Sequence, residues 1–172
     1  MKTAEQWFAE YAVSHQNETN TKIHFICVPA IYFSIIGILM SIPTGFLTKL
    51  IPLNMPLFVN WAFILAIPAM IFYARLSISI FFEMFAFTMI CIVLAYYLGQ
   101  YVPLLYTSIG IFVVAWAGQF YGHKIEGKKP SFFKDLQFLL IGPIWVFEKM
   151  LAKKAYMLFL FQNFHYPKYK IS

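Results

Sequence analysis

Three of the four histidines in this 172-residue sequence lie in two short polar segments that are far apart along the chain. His15 and His24 bracket the first segment, and His123 lies in the second, three residues before the carboxylate of Glu126. Neutral imidazoles with a carboxylate nearby suit iron, zinc or copper, and imidazole alone does not discriminate among these metals. The residue types therefore predict a metal site built from three imidazoles, with the carboxylate as a further catalytic group.

Polar amides lie one helical turn before two of the histidines. Asn20 and His24 are four residues apart, and so are Gln119 and His123, so each pair shares one face of a helix. A metal-bound imidazole usually donates its second ring N–H to an oxygen that fixes the tautomer and orientation of the ring. Asn20 and Gln119 are therefore predicted to hold the histidine rings from just outside the ligand set.

His15 and His24 can meet only if the helix between them is broken. At about 100° per residue, a separation of nine residues would place them on opposite faces of one straight helix. Residues 17–21 contain Asn and Thr, which are good N-caps. The sequence thus predicts a short first helix, a turn and a second helix, with His15 folded back towards His24.

The composition indicates the environment of this site. Apolar residues make up 61% of the chain and charged residues 12%, whereas average soluble domains have about 45–50% and about 25%. A domain of this size leaves much of its surface exposed, so it cannot hide so many apolar side chains from water. The composition therefore excludes a water-soluble monomer, a disordered chain and a disulfide-rich scaffold. It predicts an all-α integral membrane protein, with residues 1–172 forming one membrane-embedded domain.

Four apolar runs are predicted to cross the bilayer, whose hydrocarbon core of about 30 Å needs about 20 helical residues. The predicted spans are residues 25–42, 57–74, 76–98 and 102–120. Only very short breaks separate the last three runs, so neighbouring spans must be antiparallel. Consequently the start of the first span and the end of the fourth lie at the same membrane face, where both histidine segments are found.

Three further segments are predicted to lie at the membrane interface. Residues 3–14 form a short amphipathic helix with aromatic side chains at helical spacing. Residues 136–147 and 155–164 are apolar but too short to cross. Joining them would place lysines in hydrocarbon at about 2.5–3.5 kcal/mol each, so both are predicted as interfacial or re-entrant helices.

The basic residues predict the orientation of the bundle. Twelve of the thirteen lysine and arginine residues fall on the side of the two termini, and only Lys49 falls on the other. The positive-inside rule then places both termini in the cytoplasm, in a bacterial inner membrane or, for a eukaryote, in the endoplasmic reticulum. The net charge of +6 is explained by this asymmetry and by attraction to anionic lipid headgroups. It does not indicate nucleic-acid binding, because no aromatic-interleaved binding module accompanies it.

The chain resembles the Mpo-like 2-hydroxy-fatty-acid dioxygenases in two separated motifs. The first motif reads H-x4-N-x3-H from residue 15 and runs into a Val-Pro pair at residue 28. The second reads Q-F-x-G-H-x2-E-x2-K-P from residue 119, with Leu136 and a Gly-Pro pair at residue 142 behind it. The hydropathy between the motifs is also similar, so the resemblance covers residues 5 to 150 approximately.

This resemblance implies an iron(II)-dependent membrane enzyme of fatty-acid α-oxidation. Such enzymes take a 2-hydroxy fatty acid and O2 and release a fatty acid one carbon shorter. The resemblance also implies that His15, His24 and His123 are iron ligands or catalytic residues. Ferrous iron with open positions would chelate the hydroxyl and carboxylate oxygens of the substrate together, and Lys129 would guide its anionic head.

Two alternatives stay open at this point. Another metal-dependent lipid hydroxylase or oxygenase would use the same residues differently, although membrane hydroxylases usually carry more histidines, arranged in paired boxes. A non-enzymatic multi-pass membrane protein is the second alternative. It would not need polar residues to converge at one face, and the chain contains no internal repeat of the kind found in many carriers. The oligomeric state is not predicted.

Overall fold

The computed structural model describes residues 2–51, 53, 55–127 and 138–150, and all regular elements in these ranges are helical. The all-α prediction is therefore confirmed for this part of the chain. The elements are α1 (Ala4–Ala12), α2 (Glu18–Met40), α3 (Gly45–Leu50), α4 (Trp61–Leu76), α5 (Ile78–Leu98), α6 (Leu104–Glu126) and a last helical stretch over residues 141–150.

Local sequence signals set the ends of the helices that carry the histidines. Thr3 and Gln6 form a capping box at the start of α1, in which each side chain accepts a hydrogen bond from the other's main-chain N–H. The Asn17 side chain accepts from two N–H groups in the first turn of α2. Gly127, at φ 73°, ends α6 in the left-handed conformation that glycine adopts without strain. The break between α1 and α2 therefore covers residues 13–17, so it exists as predicted but lies earlier than the predicted run 17–21 and shares only the N-cap Asn17 with it.

Among the described residues, three helices are long and apolar enough to cross a membrane, namely α2, α5 and α6. The remaining predicted span is shorter, because α4 has 16 residues, about 24 Å at 1.5 Å per residue. Four spans are therefore not confirmed. Large apolar side chains are exposed on the outer faces of the bundle, Phe82 and Val114 among them, and this pattern fits a membrane-associated protein.

Two of the predicted interfacial segments lie at least partly within the described residues. α1 supplies a helix within the predicted segment 3–14. The described part of the segment 136–147 is not spread over a surface, because Ile144 and Val146 are fully buried in the bundle. The segment 155–164 lies outside the described residues.

The α2 helix is central to the bundle. It packs most extensively against α6 and also contacts α4 and α5. Three glycines allow α2 and α6 to approach closely, because a Cβ atom added to any of these three would overlap a side chain of the opposite helix. The close contacts are Gly37 with Ser108, Gly118 with Cys27, and Gly122 with Asn20.

We expect Gly37→Ala to lower the free energy of unfolding by about 1–3 kcal/mol, the usual cost of overpacking a tight contact. Gly110→Ala on α6 is the matched control, since an added Cβ there meets no described atom within 4 Å. The control should keep or slightly raise stability, because alanine is a better helix former than glycine. Thermal unfolding in detergent measures both, and equal melting temperatures for the two variants would contradict the packing argument.

Candidate metal centre

Three parts of the fold bring the three histidines together. His15 lies in the turn between α1 and α2, His24 in the second turn of α2, and His123 in the last turn of α6. All three are buried, with exposures of 2%, 1% and 3%. One ligand atom from each lies within 4.8 Å of the other two. The rings of His15 and His24 lie 4.3 Å apart between centroids, so the fold-back that the spacing requires is present.

Main-chain carbonyls hold the rings of His15 and His24. The Nδ1 atom of His15 is 2.6 Å from the carbonyl oxygen of Tyr11, and that of His24 is 3.0 Å from the carbonyl oxygen of Asn20. Because a carbonyl oxygen only accepts, Nδ1 carries the hydrogen in each ring and donates it. In the neutral rings Nε2 therefore keeps its lone pair. This is the usual arrangement of histidine ligands in metal sites.

His15 provides a direct test of whether these residues fit a metal ion. Its Nε2 is buried and has no hydrogen-bond partner among the described residues, a situation that costs about 1–3 kcal/mol unless something binds there. Burial, together with the neighbouring His24 and His123 rings, lowers the pKa of His15 to about 3. The ring is thus neutral at physiological pH, with its lone pair available. The three histidines therefore fit a metal ion.

Aromatic side chains close the site on the side of α1 and the 141–150 helix. The His15 ring stacks on Tyr11, with centroids 4.0 Å apart and planes 7° apart. Trp145 lies 5.2 Å from the same ring and is itself buried. These contacts keep water away from the histidines, which strengthens any electrostatic interaction inside the site.

Glu126 and Asn20 tie α6 to the turn that carries His15. The Glu126 carboxylate accepts hydrogen bonds from the N–H groups of Gln16 and Asn17 at 2.8 and 2.9 Å, and from the Asn20 side chain at 3.0 Å. Asn20 also donates to the carbonyl oxygen of Ser14. These contacts give both residues a positioning role, and it is the main chain of Asn20, not its side chain, that binds the His24 ring.

The remaining predicted site residues occupy different positions. Gln119 is buried and lines, with His24 and Trp116, a cavity of about 20 Å³, enough for about one water molecule. Lys129 lies outside the described residues. Lys149, which is not among the predicted site residues, places Nζ 4.2 Å from the centre of the Trp145 ring.

Three contacts around the site involve residues that were not predicted, namely Tyr11, Trp145 and Lys149, and the sequence contains a signal for the first of them. Tyr11 precedes His15 by four residues, which is the same spacing that singled out Asn20 before His24. A carbonyl one turn back is a common partner for a ring N–H, so this spacing pointed to both acceptors. No periodicity in the sequence indicates that Trp145 packs beside His15 or that Lys149 lies over Trp145.

A protein-family model described as 2-hydroxy-palmitic acid dioxygenase Mpo1-like matches residues 1–154 of the chain. The chain belongs to this Mpo1-like family. The match spans both histidine segments and confirms the resemblance seen in the two motifs. The name of the Mpo1-like family points to dioxygenase activity, and the three buried histidines are a group that could hold a metal ion. Comparisons with curated proteins and with solved structures gave no match.

We expect His15→Ala, His24→Ala and His123→Ala each to lose most of the iron that the unmodified protein binds. Each substitution removes one of the converging nitrogen atoms. His165→Ala, which changes the only other histidine in the chain, is the control and should bind normally. Elemental analysis of protein loaded with Fe²⁺ without oxygen gives the stoichiometry, and melting temperatures show which variants are folded. Folded His24→Ala and His123→Ala variants that hold as much iron as the control would contradict the site.

Glu126→Gln should weaken iron binding about 10–100-fold without abolishing it, as changes just outside a ligand set commonly do. The neutral amide keeps an acceptor for the turn but loses the charge that strengthens its hydrogen bonds. Glu10→Gln in α1 is the control, because it makes the same change in a carboxylate whose ion pair with Lys2 is exposed. Titration with Fe²⁺ gives the affinities. An unchanged affinity would contradict the positioning role, and so would complete loss of binding at saturating iron, because a positioning residue should only weaken binding.

Proposed function

We propose that the chain is an iron(II)-dependent dioxygenase that cleaves 2-hydroxy fatty acids and releases the fatty acid one carbon shorter. The observation that carries this proposal is the set of three buried, converging histidines in a member of the Mpo1-like family. Two of the three rings have a tautomer that leaves Nε2 available. Imidazole ligands suit iron among other metals, and the family description favours iron because it names a dioxygenase.

The proposed reaction balances without a separate reductant. The bond between C1 and C2 of the substrate breaks, C2 becomes the carboxyl carbon of the shortened acid, and C1 leaves as carbon dioxide. The four electrons given up by these two carbons reduce one molecule of O2. The shortened acid and carbon dioxide together contain one oxygen atom more than the substrate, and the second oxygen atom of O2 is balanced by one molecule of water. When bound, iron supplies the redox chemistry and open positions for the substrate's hydroxyl and carboxylate oxygens.

In this proposal, some of the described residues orient the histidine rings and the substrate, and others exclude water from the site. His15 and His24 keep their rings neutral and oriented through the carbonyls of Tyr11 and Asn20. Gln119 lines the cavity beside His24, and this position supports a role in hydrogen-bonding the substrate's hydroxyl or carboxylate. The aromatic rings of Tyr11 and Trp145 exclude water from the side of His15. Oxidation would then be directed to the bound substrate.

Cations near the site would bind the carboxylate of the fatty acid. Lys129 is proposed for this role from its place just after the second motif. Lys149 is a second candidate, because it lies over Trp145, whose ring contacts His15. We place this end of the bundle at the cytoplasmic membrane face, in a bacterial inner membrane or the endoplasmic reticulum, where a lipid carboxylate would arrive at headgroup depth.

Turnover of 2-hydroxypalmitate tests the proposal. Purified, iron-loaded protein given this acid and O2 should form the fifteen-carbon acid. When C1 of the substrate is labelled, the label should be released as carbon dioxide. Activity should fall more than about 100-fold in His24→Ala and His123→Ala, because changes just outside a ligand set already cost up to about that much. It should persist in His165→Ala. Palmitate, which lacks the hydroxyl, should not react. An iron-loaded protein that leaves 2-hydroxy fatty acids of all lengths unchanged would overturn the proposal.

A further inference from the structure

Leu139 borders two separate cavities of the protein. The first is the small cavity beside the metal centre, which His24 also lines. The second is a cleft of about 110 Å³ between α2 and α4, lined on the α4 side by Ala62 and Ala66. Leu139 lies in the turn over residues 138–140 and is only half-buried. Among the described residues, Leu139 is the only one that lines both spaces, so the two spaces adjoin at this side chain.

One stripe of α2 runs through both cavities. His24, Val28 and Ile31 line the cavity at the metal centre, and Ile35 and Leu39 line the cleft. These residues follow one another at spacings of three or four, so they lie along one face of the helix. From His24 to Leu39 the stripe is about 22 Å long at 1.5 Å per residue. It therefore leads from the polar end of α2 deep into the apolar part of the bundle.

The walls of the cleft suit an aliphatic chain. Its α4 side carries alanines at positions 62, 66 and 69, whose small side chains leave the space open. Its α2 side is mainly apolar. At its rim Leu65 is 49% exposed, so the cleft opens to the outside of the bundle. A lipid chain can thus enter sideways without crossing water.

We propose that the cleft between α2 and α4 holds the acyl chain of the lipid substrate, while its polar head passes Leu139 to reach His24. The identity of the head rests on the proposed function. The alanines of α4 then determine which chain lengths are accepted, because a larger side chain there would fill the space of buried methylene groups.

A second apolar cleft provides the rival location. It lies between α4 and α5, measures about 290 Å³, and is lined by residues that include Ile67 and Ala74. Among the described residues, none that lines this cleft also lines the cavity at the metal centre. This cleft is larger than the cleft between α2 and α4, but no shared residue connects it to the histidines. Ala74 on the same helix as Ala66 offers a matched substitution that fills the rival cleft.

Chain-length preference separates the two clefts. Ala66→Phe should lower kcat/KM for 2-hydroxypalmitate about 10-fold or more relative to 2-hydroxyoctanoate, since displacing a methylene from an apolar pocket has an effect of this size. Ala74→Phe should leave the ratio unchanged. Ala66→Leu is a smaller change that should shift the ratio in the same direction if Ala66→Phe does not fold. Iron stoichiometry equal to that of the unmodified protein shows that a variant retains the metal centre.

Photo-crosslinking provides a readout that does not require turnover. A 2-hydroxy fatty acid with a diazirine at the end of its chain should label residues of α2 and α4 around Ile35 and Ala66, and Ala66→Phe should reduce this labelling while Ala74→Phe should not. Labelling of this cleft without any turnover would support the chain site and reject the dioxygenase function. Labelling between α4 and α5, or a chain-length shift in Ala74→Phe alone, would overturn the chain site even if turnover is normal.

Discussion

The close approach of α2 and α6 is the constraint on which the candidate metal centre depends. His24 and His123 belong to these two helices, so their separation is set by how near the helix backbones come. At Gly122 an added Cβ would overlap Asn20 and would lie 3.5 Å from Cε1 of His24. Between helices in a bilayer, lipid competes equally for apolar side chains, and small residues stabilise association by allowing close packing. The glycines of this interface are therefore requirements of the site as well as of the fold.

The third histidine is held by a different kind of interaction. His15 lies outside any helix, and its turn is attached to α6 by the hydrogen bonds that Glu126 accepts from the N–H groups of Gln16 and Asn17. A carboxylate that accepts two main-chain N–H groups makes charge-assisted bonds, which are about twice as strong as neutral ones. The glycine contacts thus place two nitrogen donors, and this polar connection adds the third. Loss of either would leave an incomplete set of ligands.

Features that depend on local sequence were predictable, and features that depend on docking were not. The break after α1 follows from the N-cap Asn17, and the convergence of the two histidine segments follows from antiparallel spans. The second predicted span starts at residue 57, before the observed start of α4 at Trp61, because hydropathy does not register that Asn60 caps this helix. Its side chain donates to the carbonyls of Pro56 and Leu57 and accepts from an N–H of α4, which keeps the preceding residues in a turn. The position of Trp145 against His15 likewise depends on long-range packing that no local pattern encodes.

The α2 helix joins the polar and apolar environments that the proposed lipid substrate requires. Its first two turns carry Asn20 and His24, which face α6 and the turn before α2, and its later turns present Val28, Ile31 and Ile35 along one face. A substrate with a polar head and a long chain needs both environments at a set distance. Because one continuous helix provides both environments, the helix would set the distance between the head and the chain of the proposed substrate. In the proposed chain site, Leu139 belongs to a turn and not to α2 or α6, so its movement is separate from the packing that holds His24 and His123 in place.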